Sequence, residues 1–189
     1  LSSPAPKVSI IVPTRDRADL LEHCLQSVLQ SQGHYPTKFE IIVVDNDSCE
    51  PRTAEVLRSF VATDNVRVLP FRGGFNWSAL NNTAARQAEG DVLLFLNNDT
   101  VVLSQDWIRE LVSTVSRPNV GAVGARLLYE DGTLQHAGVL IGVSGGAIHE
   151  GMGQLPEEGG YLGRTALQRN VLAVTGACLA TRATTFREL

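Results

Sequence analysis

The sequence predicts an α/β fold in which a mostly parallel central sheet is flanked by helices. Three observations carry that prediction. Through the first two thirds of the chain, short apolar runs alternate with segments whose apolar residues recur at helical spacing. The runs are apolar throughout rather than at every second position, the pattern of strands covered on both faces. Several of them stop abruptly in Asn, Asp, Thr and Arg, and in parallel sheets ligands sit beyond the carboxyl ends of the strands.

The elements follow in order. The opening LSSPAP (1–6) reads as a linker, and 7–189 as one domain. KVSIIVP (7–13) is a buried strand that Pro13, lacking an N–H donor, is expected to stop. Asp16 or Asp19 is expected to cap the next helix, whose stripe is Leu20, Leu21, Cys24, Leu25, Val28 and Leu29. FEIIVVD (39–45) is a second strand, followed by a helix over about 51–60 with Pro51 in its first turn. VRVLP (66–70) is a third strand, and a helix over about 76–87 follows, closed by Gly90. DVLLFL (91–96) is the fourth strand. A helix over about 105–116 then presents Trp107, Ile108, Leu111, Val112 and Val115 on one face. VGAVGARLLY (120–129) is expected as a fifth strand and GVLIGV (138–143) as a short one. Residues 142–164 hold eight of the 17 glycines and are expected to form a long, mobile loop. VLAVTGACLAT (171–181) is expected as a last strand bent at Gly176, before TTFREL opens a helix.

Composition narrows the function. With 43% hydrophobic and 19% charged residues, a chain of 189 residues has enough apolar side chain for a core. A net charge of −4 argues against nucleic acid or an anionic membrane as partner, though not against a small phosphate pocket. The three cysteines, Cys24, Cys49 and Cys178, are far apart and contain no C-x-x-C. They indicate neither a zinc site nor a disulfide framework, and Cys24 and Cys178 read as core thiols. The setting expected is reducing: cytoplasmic, or the inner face of a membrane reached through regions outside these residues. No apolar run is long enough to span a bilayer. A P-loop and a G-x-G-x-x-G are both missing after the first strand, which excludes the commonest nucleotide-binding turns. PTRDRADL also lacks the glycine- and lysine-rich loop of a nucleotidyltransferase.

The strand ends carry the chemistry. Pro13, Thr14, Arg15 and Asp16 follow the first strand; Asp45, Asn46, Asp47 and Ser48 the second; Arg72, Gly73, Gly74 and Asn76 the third; Asn97, Asn98 and Asp99 the fourth. In a parallel sheet these groups share one edge. A carboxylate at Asp45 suits the N–H of a base or a ribose hydroxyl. A carboxylate at Asp99 suits a hard cation bridging two phosphates, and the amides of Asn97 and Asn98 can orient a sugar or water without adding charge. Taken singly, each cluster is equally an Asx-turn or a helix cap. Their recurrence at successive strand ends favours a ligand site. His136 reads as a packed or hydrogen-bonded histidine, and His149 as a group able to meet a substrate only if the glycine loop closes.

Together these stretches resemble family 2 glycosyltransferases of the GT-A fold, over nearly the whole chain from about Lys7. VSIIVPTRDRADLLEHCLQSVL is similar to the family's first strand and helix, EIIVVDNDS to its vvDDgS turn, and GDVLLFLNNDT to its metal-binding D-x-D strand. FNWSALNN, VGAVGARLLYEDGTLQHAGVLIG and RNVLAVTGACLATR resemble a bacterial subgroup of rhamnosyltransferase-like enzymes of surface-polysaccharide synthesis. The resemblance implies metal-dependent, inverting transfer of a sugar from a nucleotide-diphospho-sugar, UDP- or dTDP-linked, to the hydroxyl of a carbohydrate or lipid-linked acceptor. A non-catalytic nucleotide-sugar-binding module is the alternative. Carried over by position, Pro13, Thr14 and Arg15 lie beside the nucleotide, with Asp47, Asn97 and Asn98 also on the donor site. Asp45 meets the base, Asn81 lies near the nucleotide, and Thr175, Gly176 and Ala177 lie near the donor sugar. Asp99 holds Mg²⁺ or Mn²⁺. Two departures stand out: Asn97 replaces the first D-x-D aspartate, and Asn46 the second acid of the DDgS turn. The family's general base belongs to an acidic stretch following a GGxDE turn, and FREL, ending in Leu189, stands where that turn would begin. The domain is therefore expected to be incomplete at its C-terminus, with no catalytic residue within the sequence and the general base beyond Leu189. Glu150, Glu157 and Glu158 are expected to be solvated charges.

Overall fold

The computed structural model describes residues 4–143 and 145–189, so the first three residues of the expected linker lie outside it. The elements are β1 (Val8–Thr14), α1 (Ala18–Gln30), β2 (Glu40–Asp45), α2 (Pro51–Val61), β3 (Val66–Pro70), α3 (Trp77–Ala85), β4 (Val92–Leu96) and α4 (Trp107–Val115). After these come the short strands β5 (Ala122–Gly124), β6 (Leu127–Leu128), β7 (Leu134–His136), β8 (Val139–Val143) and β9 (Gly146–His149), then β10 (Cys178–Arg182) and α5 (Ala183–Glu188). The main sheet has the order β3-β2-β1-β4-β10-β5. Strands β3, β2, β1 and β4 are parallel neighbours, and β10 is inserted antiparallel between β4 and β5.

Period-two alternation in buried strands divides the core in two. Ile10, Val12, Ile41, Val43, Leu94 and Leu96 face α1, α2 and α4, where Leu21, Cys24, Leu25, Val28, Val56, Ile108 and Val115 meet them. Ile11, Ile42, Val44, Leu93 and Phe95 face the other way, onto Leu80, Ala84 and Ala85 of α3 and Ala183 of α5. A helical layer thus lies on each face, which is why these strands carry no polar face. The Cys24 and Cys178 thiols are buried and free, and burial pushes both up to about 12, so they are inert core groups as expected.

Several boundaries differ from expectation, each for a physical reason. Pro13 does not stop β1: Pro13 pairs with Val44 and Thr14 with Asp45. The Thr14 carbonyl accepts the Asn46 N–H at 2.9 Å, so Thr14 faces β2 and its predecessor faces β4. Pairing with β4 has already ended at Ile11–Phe95, and no donor is required of Pro13 there. Neither Asp16 nor Asp19 caps α1, whose N-cap Arg17 makes no side-chain cap bond. Asp16 instead accepts the N–H groups of Cys49 and Glu50 at the start of α2, at 2.6 and 2.8 Å, while Glu50 accepts the Ala18 N–H at the start of α1 at 3.1 Å. The two helices exchange caps. Helix α3 ends at Ala85 with Arg86 as C-cap. Gly90 does not close it.

The 120–129 run is two strands: β5 in the main sheet and β6 paired with β7. The 171–181 run is a strand only from Cys178. Both runs are apolar beyond the point where a ladder partner exists, so hydropathy overstates their length. The expected glycine loop is largely structured. β8 and β9 form an antiparallel pair, Gly153 and Gln154 bond across to Leu134, and 3₁₀ turns occupy Pro156–Glu158 and Tyr161–Gly163. Glu150, expected as solvated charge, is largely buried in ion pairs with Arg164 (2.7 Å) and Arg169. The Arg164 guanidinium holds its carboxyl below the usual range. Glu157 and Glu158 are exposed.

Gly90 has a packing role. Its N–H reaches Ser9 Oγ at 2.8 Å, and a Cβ there would lie 2.5 Å from the Ser9 nitrogen and 2.9 Å from the Val8 carbonyl carbon. Backbone cannot yield as a flexible side chain does. Gly90→Ala is expected to destabilise the fold by about 1–3 kcal/mol, measured by urea unfolding.

Candidate functional site

The carboxyl ends of β3, β2, β1 and β4 form one rim, as the parallel order requires. Their loops are joined by polar side chains in the same order as the strands. Between β3 and β2, Asn46 is fully buried, and its Nδ2 donates to the carbonyls of Phe71 (3.3 Å) and Gly73 (2.8 Å). Asp47 accepts the Gly73 N–H at 3.2 Å. Between β2 and β1, the Asp16 N–H donates to Ser48 Oγ at 2.8 Å, beside the cap exchange with Glu50. Between β1 and β4, Asn98 Nδ2 donates to Thr14 Oγ1 at 2.9 Å. Asp16, Arg17 and Asp47 are held at φ of 54°, 54° and 49°, a region non-glycine residues enter rarely and at a cost.

The rim continues onto the segment before β10. The Asn97 N–H donates to the Ala177 carbonyl at 2.9 Å, and Trp77 Nε1 donates to Asn97 Oδ1 at 3.3 Å. The Asn97 carbonyl accepts the Thr100 hydroxyl at 2.6 Å. Trp77, Asn97, Thr175, Gly176 and Ala177 line an open cleft of about 290 Å³. At Gly176 the Trp77 ring leaves no room for a side chain: a Cβ would stand 2.9 Å from its Cζ2 atom. His136 lies beneath this segment, 1% exposed, with Nε2 accepting the Thr175 N–H at 3.4 Å. Its ring meets His149 edge-on with centroids 4.8 Å apart.

The expected site residues thus fall into three sets. Thr14, Asp45, Asp47, Asn98 and Asp99 lie on the strand-end rim, with Pro13 buried beneath it and Arg15 exposed beside it. Asp45 and Asp99 flank β1, their strands two interstrand spacings apart, about 10 Å. Asn97, Thr175 and Gly176 meet in the cleft. Asn81 stands apart: it is 1% exposed, and its Nδ2 donates to the Trp77 carbonyl at 2.8 Å, so it supports Trp77 from within the helix. The Asx-turn reading also holds in part, since Asp45 Oδ1 accepts the Ser48 N–H at 3.2 Å. Asn76 caps α3 by accepting the Ala79 N–H. Leu189 lies apart from the site. It is the fully exposed C-cap of α5, a leucine with no group that could take a proton, and it does not line the cleft. Trp77 and the grip of His136 on Thr175 were not identified from sequence. Nothing in the spacing of FNW or LQHAG announces either contact.

A divalent cation has few donors here. Asp99 is exposed with Arg17 in its field, and the indole occupies Asn97 Oδ1. Among the described residues no cluster of three or more His, Cys, Asp or Glu side chains could hold a metal. The residues present therefore fit a cation that takes one carboxylate and completes its shell from a bound diphosphate, the mode Mg²⁺ commonly adopts. No described helix is long and apolar enough to cross a membrane.

Residues 9–189 match the family described as glycosyl transferase family 2. The chain belongs to that family. Over 186 residues this glycosyl transferase family 2 chain is 47% identical to the O-antigen biosynthesis protein RfbC of Myxococcus xanthus, covering 97% of the chain and 14% of that protein. It is 30% identical over 126 residues to the O-antigen chain rhamnosyltransferase RfbN of Salmonella typhimurium, covering 65% of the chain and 37% of RfbN. The chain is thus much shorter than these relatives. Among solved structures, it resembles the mannosyltransferase PcManGT from Pyrobaculum calidifontis in complex with GDP-Man and Mn²⁺. That likeness has a TM-score of 0.59 at 26% identity and covers 67% of the chain and 37% of PcManGT. The fold is that of the GT-A glycosyltransferases, as the resemblance implied.

The buried His136 ring makes stability pH-dependent. Burial, with His149 adding repulsion, pushes its pKa down to about 4 from 6.5. The unfolded chain binds this proton near pH 6.5 and the folded chain only near 4, so acid favours unfolding. The contribution is complete above pH 6.5 and is lost as pH falls from 6.5 towards 4, by up to about 3 kcal/mol. Urea unfolding across this range is expected to show the loss in the wild type and a smaller one in His136→Gln.

Proposed function

We propose that this chain forms the donor-binding part of an inverting glycosyltransferase that moves a sugar from a UDP- or dTDP-linked donor, with a divalent cation, to a carbohydrate or lipid-linked acceptor. The observation that carries the reading is the Thr14–Asn98 hydrogen bond. It ties the ends of β1 and β4 together, leaving Asp45 on one side and Asp99 on the other. A nucleoside diphosphate laid across that rim has its base towards Asp45 and its phosphates towards Asp99. The free oxygen of Asp45 accepts from the base, while its other oxygen stays bound to the Ser48 N–H, which fixes the carboxylate plane. Asp99 would hold Mg²⁺ or Mn²⁺, and the cation would offset the charge that develops on the leaving diphosphate. The sugar then lies in the cleft among Trp77, Asn97 and Thr175–Ala177, where the indole N–H fixes the orientation of the Asn97 amide.

A thermal-shift panel of nucleotide sugars with and without Mn²⁺ tests the reading, because a ligand that binds only the folded state raises Tm. Asp99→Ala is expected to abolish the gain from Mn²⁺ and leave the Tm without ligand unchanged. Metal dependence that survives the substitution places the cation elsewhere. Asp45→Ala is expected to weaken nucleoside diphosphate binding by about 1–3 kcal/mol through loss of a charged hydrogen bond, read by calorimetry. Unchanged affinity removes Asp45 from the base contact.

A further inference from the structure

His136 is buried out of reach of any substrate, yet it touches the wall of the cleft. The segment 175–177 has no regular secondary structure and is held from several sides. His136 Nε2 accepts the Thr175 N–H from below, and the Trp77 ring packs against Gly176. The Asn97 N–H holds the Ala177 carbonyl, and the Ala177 N–H donates to Thr175 Oγ1 at 3.3 Å. Of these, the histidine contact alone comes from outside the rim, from β7. An accepting Nε2 puts the ring proton on Nδ1, which has no partner among the described residues. A buried imidazole costs more in a core than an apolar side chain of similar size. A leucine would fill the space without that penalty but could not accept the Thr175 N–H. The depressed pKa keeps the ring neutral, and hence an acceptor, at neutral pH.

We propose that His136 is a positioning residue. By holding the Thr175 N–H it fixes the 175–177 wall and so governs recognition of the sugar on the diphosphate, not of the nucleotide itself. The inference rests on the donor-site reading above. It separates two affinities, because in that reading the nucleotide lies over the ends of β2, β1 and β4, which His136 does not touch.

The test compares UDP-glucose, dTDP-rhamnose and GDP-mannose, each against its bare nucleoside diphosphate, by calorimetry with Mn²⁺. For the sugar the wild type binds best, His136→Met is expected to lose at least tenfold in nucleotide-sugar affinity while the bare diphosphate stays within twofold. His136→Gln, whose Oε1 can take the place of Nε2, is expected to recover most of the loss. Gly176→Ala displaces the same wall from the Trp77 side and is expected to show the same selective loss, which keeps the question open to test if His136→Met does not fold. Parallel loss of both affinities, no loss at all, or a glutamine variant as weak as the methionine variant overturns the role of His136. A wild-type chain that binds no nucleoside diphosphate overturns the donor-site reading, and this inference with it.

Discussion

Strands β2, β1 and β4 have no polar face. Each is flanked by ladder partners at its edges and by helices above and below, so the side chains between its ends are committed to packing. Polar chemistry can then appear only where the strands stop. Because the strands are parallel, they stop together, and polar residues dispersed through the sequence become a continuous rim. The site follows from the burial requirement of the sheet: the stronger the demand for apolar strands, the more sharply functional groups are confined to one edge.

Confinement brings its own problem. Several loops crowd one edge, each with backbone N–H and carbonyl groups to satisfy. The structure meets this by exchange between loops. Asp16 caps the helix after β2 and Glu50 the helix after β1; Asn46 serves two carbonyls of the β3–α3 loop; Asn98 serves Thr14; Asn97 serves Ala177. Each bond joins strands adjacent in the sheet but distant in sequence. This network holds Asp16, Arg17 and Asp47 in left-handed conformations, and it leaves Asp99 and Arg15 exposed. Rigid amides thus surround a few free charges, an arrangement suited to a ligand that carries charge of its own.

Much of this was legible in the sequence. Continuous apolar runs marked the buried strands, and β3 lies where VRVLP placed it. The helical stripe of α4 is the buried face observed, and that of α1 is buried at Leu21, Cys24, Leu25 and Val28, with Leu20 and Leu29 only partly covered. The clustering of Asn and Asp at strand ends identified the rim. Three kinds of information were not legible. Partner-dependent boundaries failed at 120–129 and 171–177, since an apolar run does not record where its ladder partner ends. Cap assignments failed at Asp16, because a side chain can cap a helix more than thirty residues away as easily as its own. The glycine-rich stretch read as unstructured because composition registers flexibility in isolation, whereas Glu150 is fixed by Arg164 at the end of that stretch and by Arg169 just beyond it. Trp77 and His136 belong to the same class: their importance lies wholly in what the fold sets beside them.

The insertion of β10 between β4 and β5 has a consequence for how the chain is made. Strand β4 is complete at Leu96, but its outer edge has no partner until Cys178–Arg182 arrives, and β5 has no partner in the sheet until then either. For some eighty residues of synthesis a fully apolar strand presents open N–H and carbonyl groups, a template for pairing with other chains. Closing that gap requires a long-range contact and an antiparallel entry between two strands already aligned, a slow event by topology. The strand that completes the sheet also delivers the Thr175–Ala177 wall of the cleft just ahead of it, so the cleft and the protection of the nascent sheet are acquired in a single step.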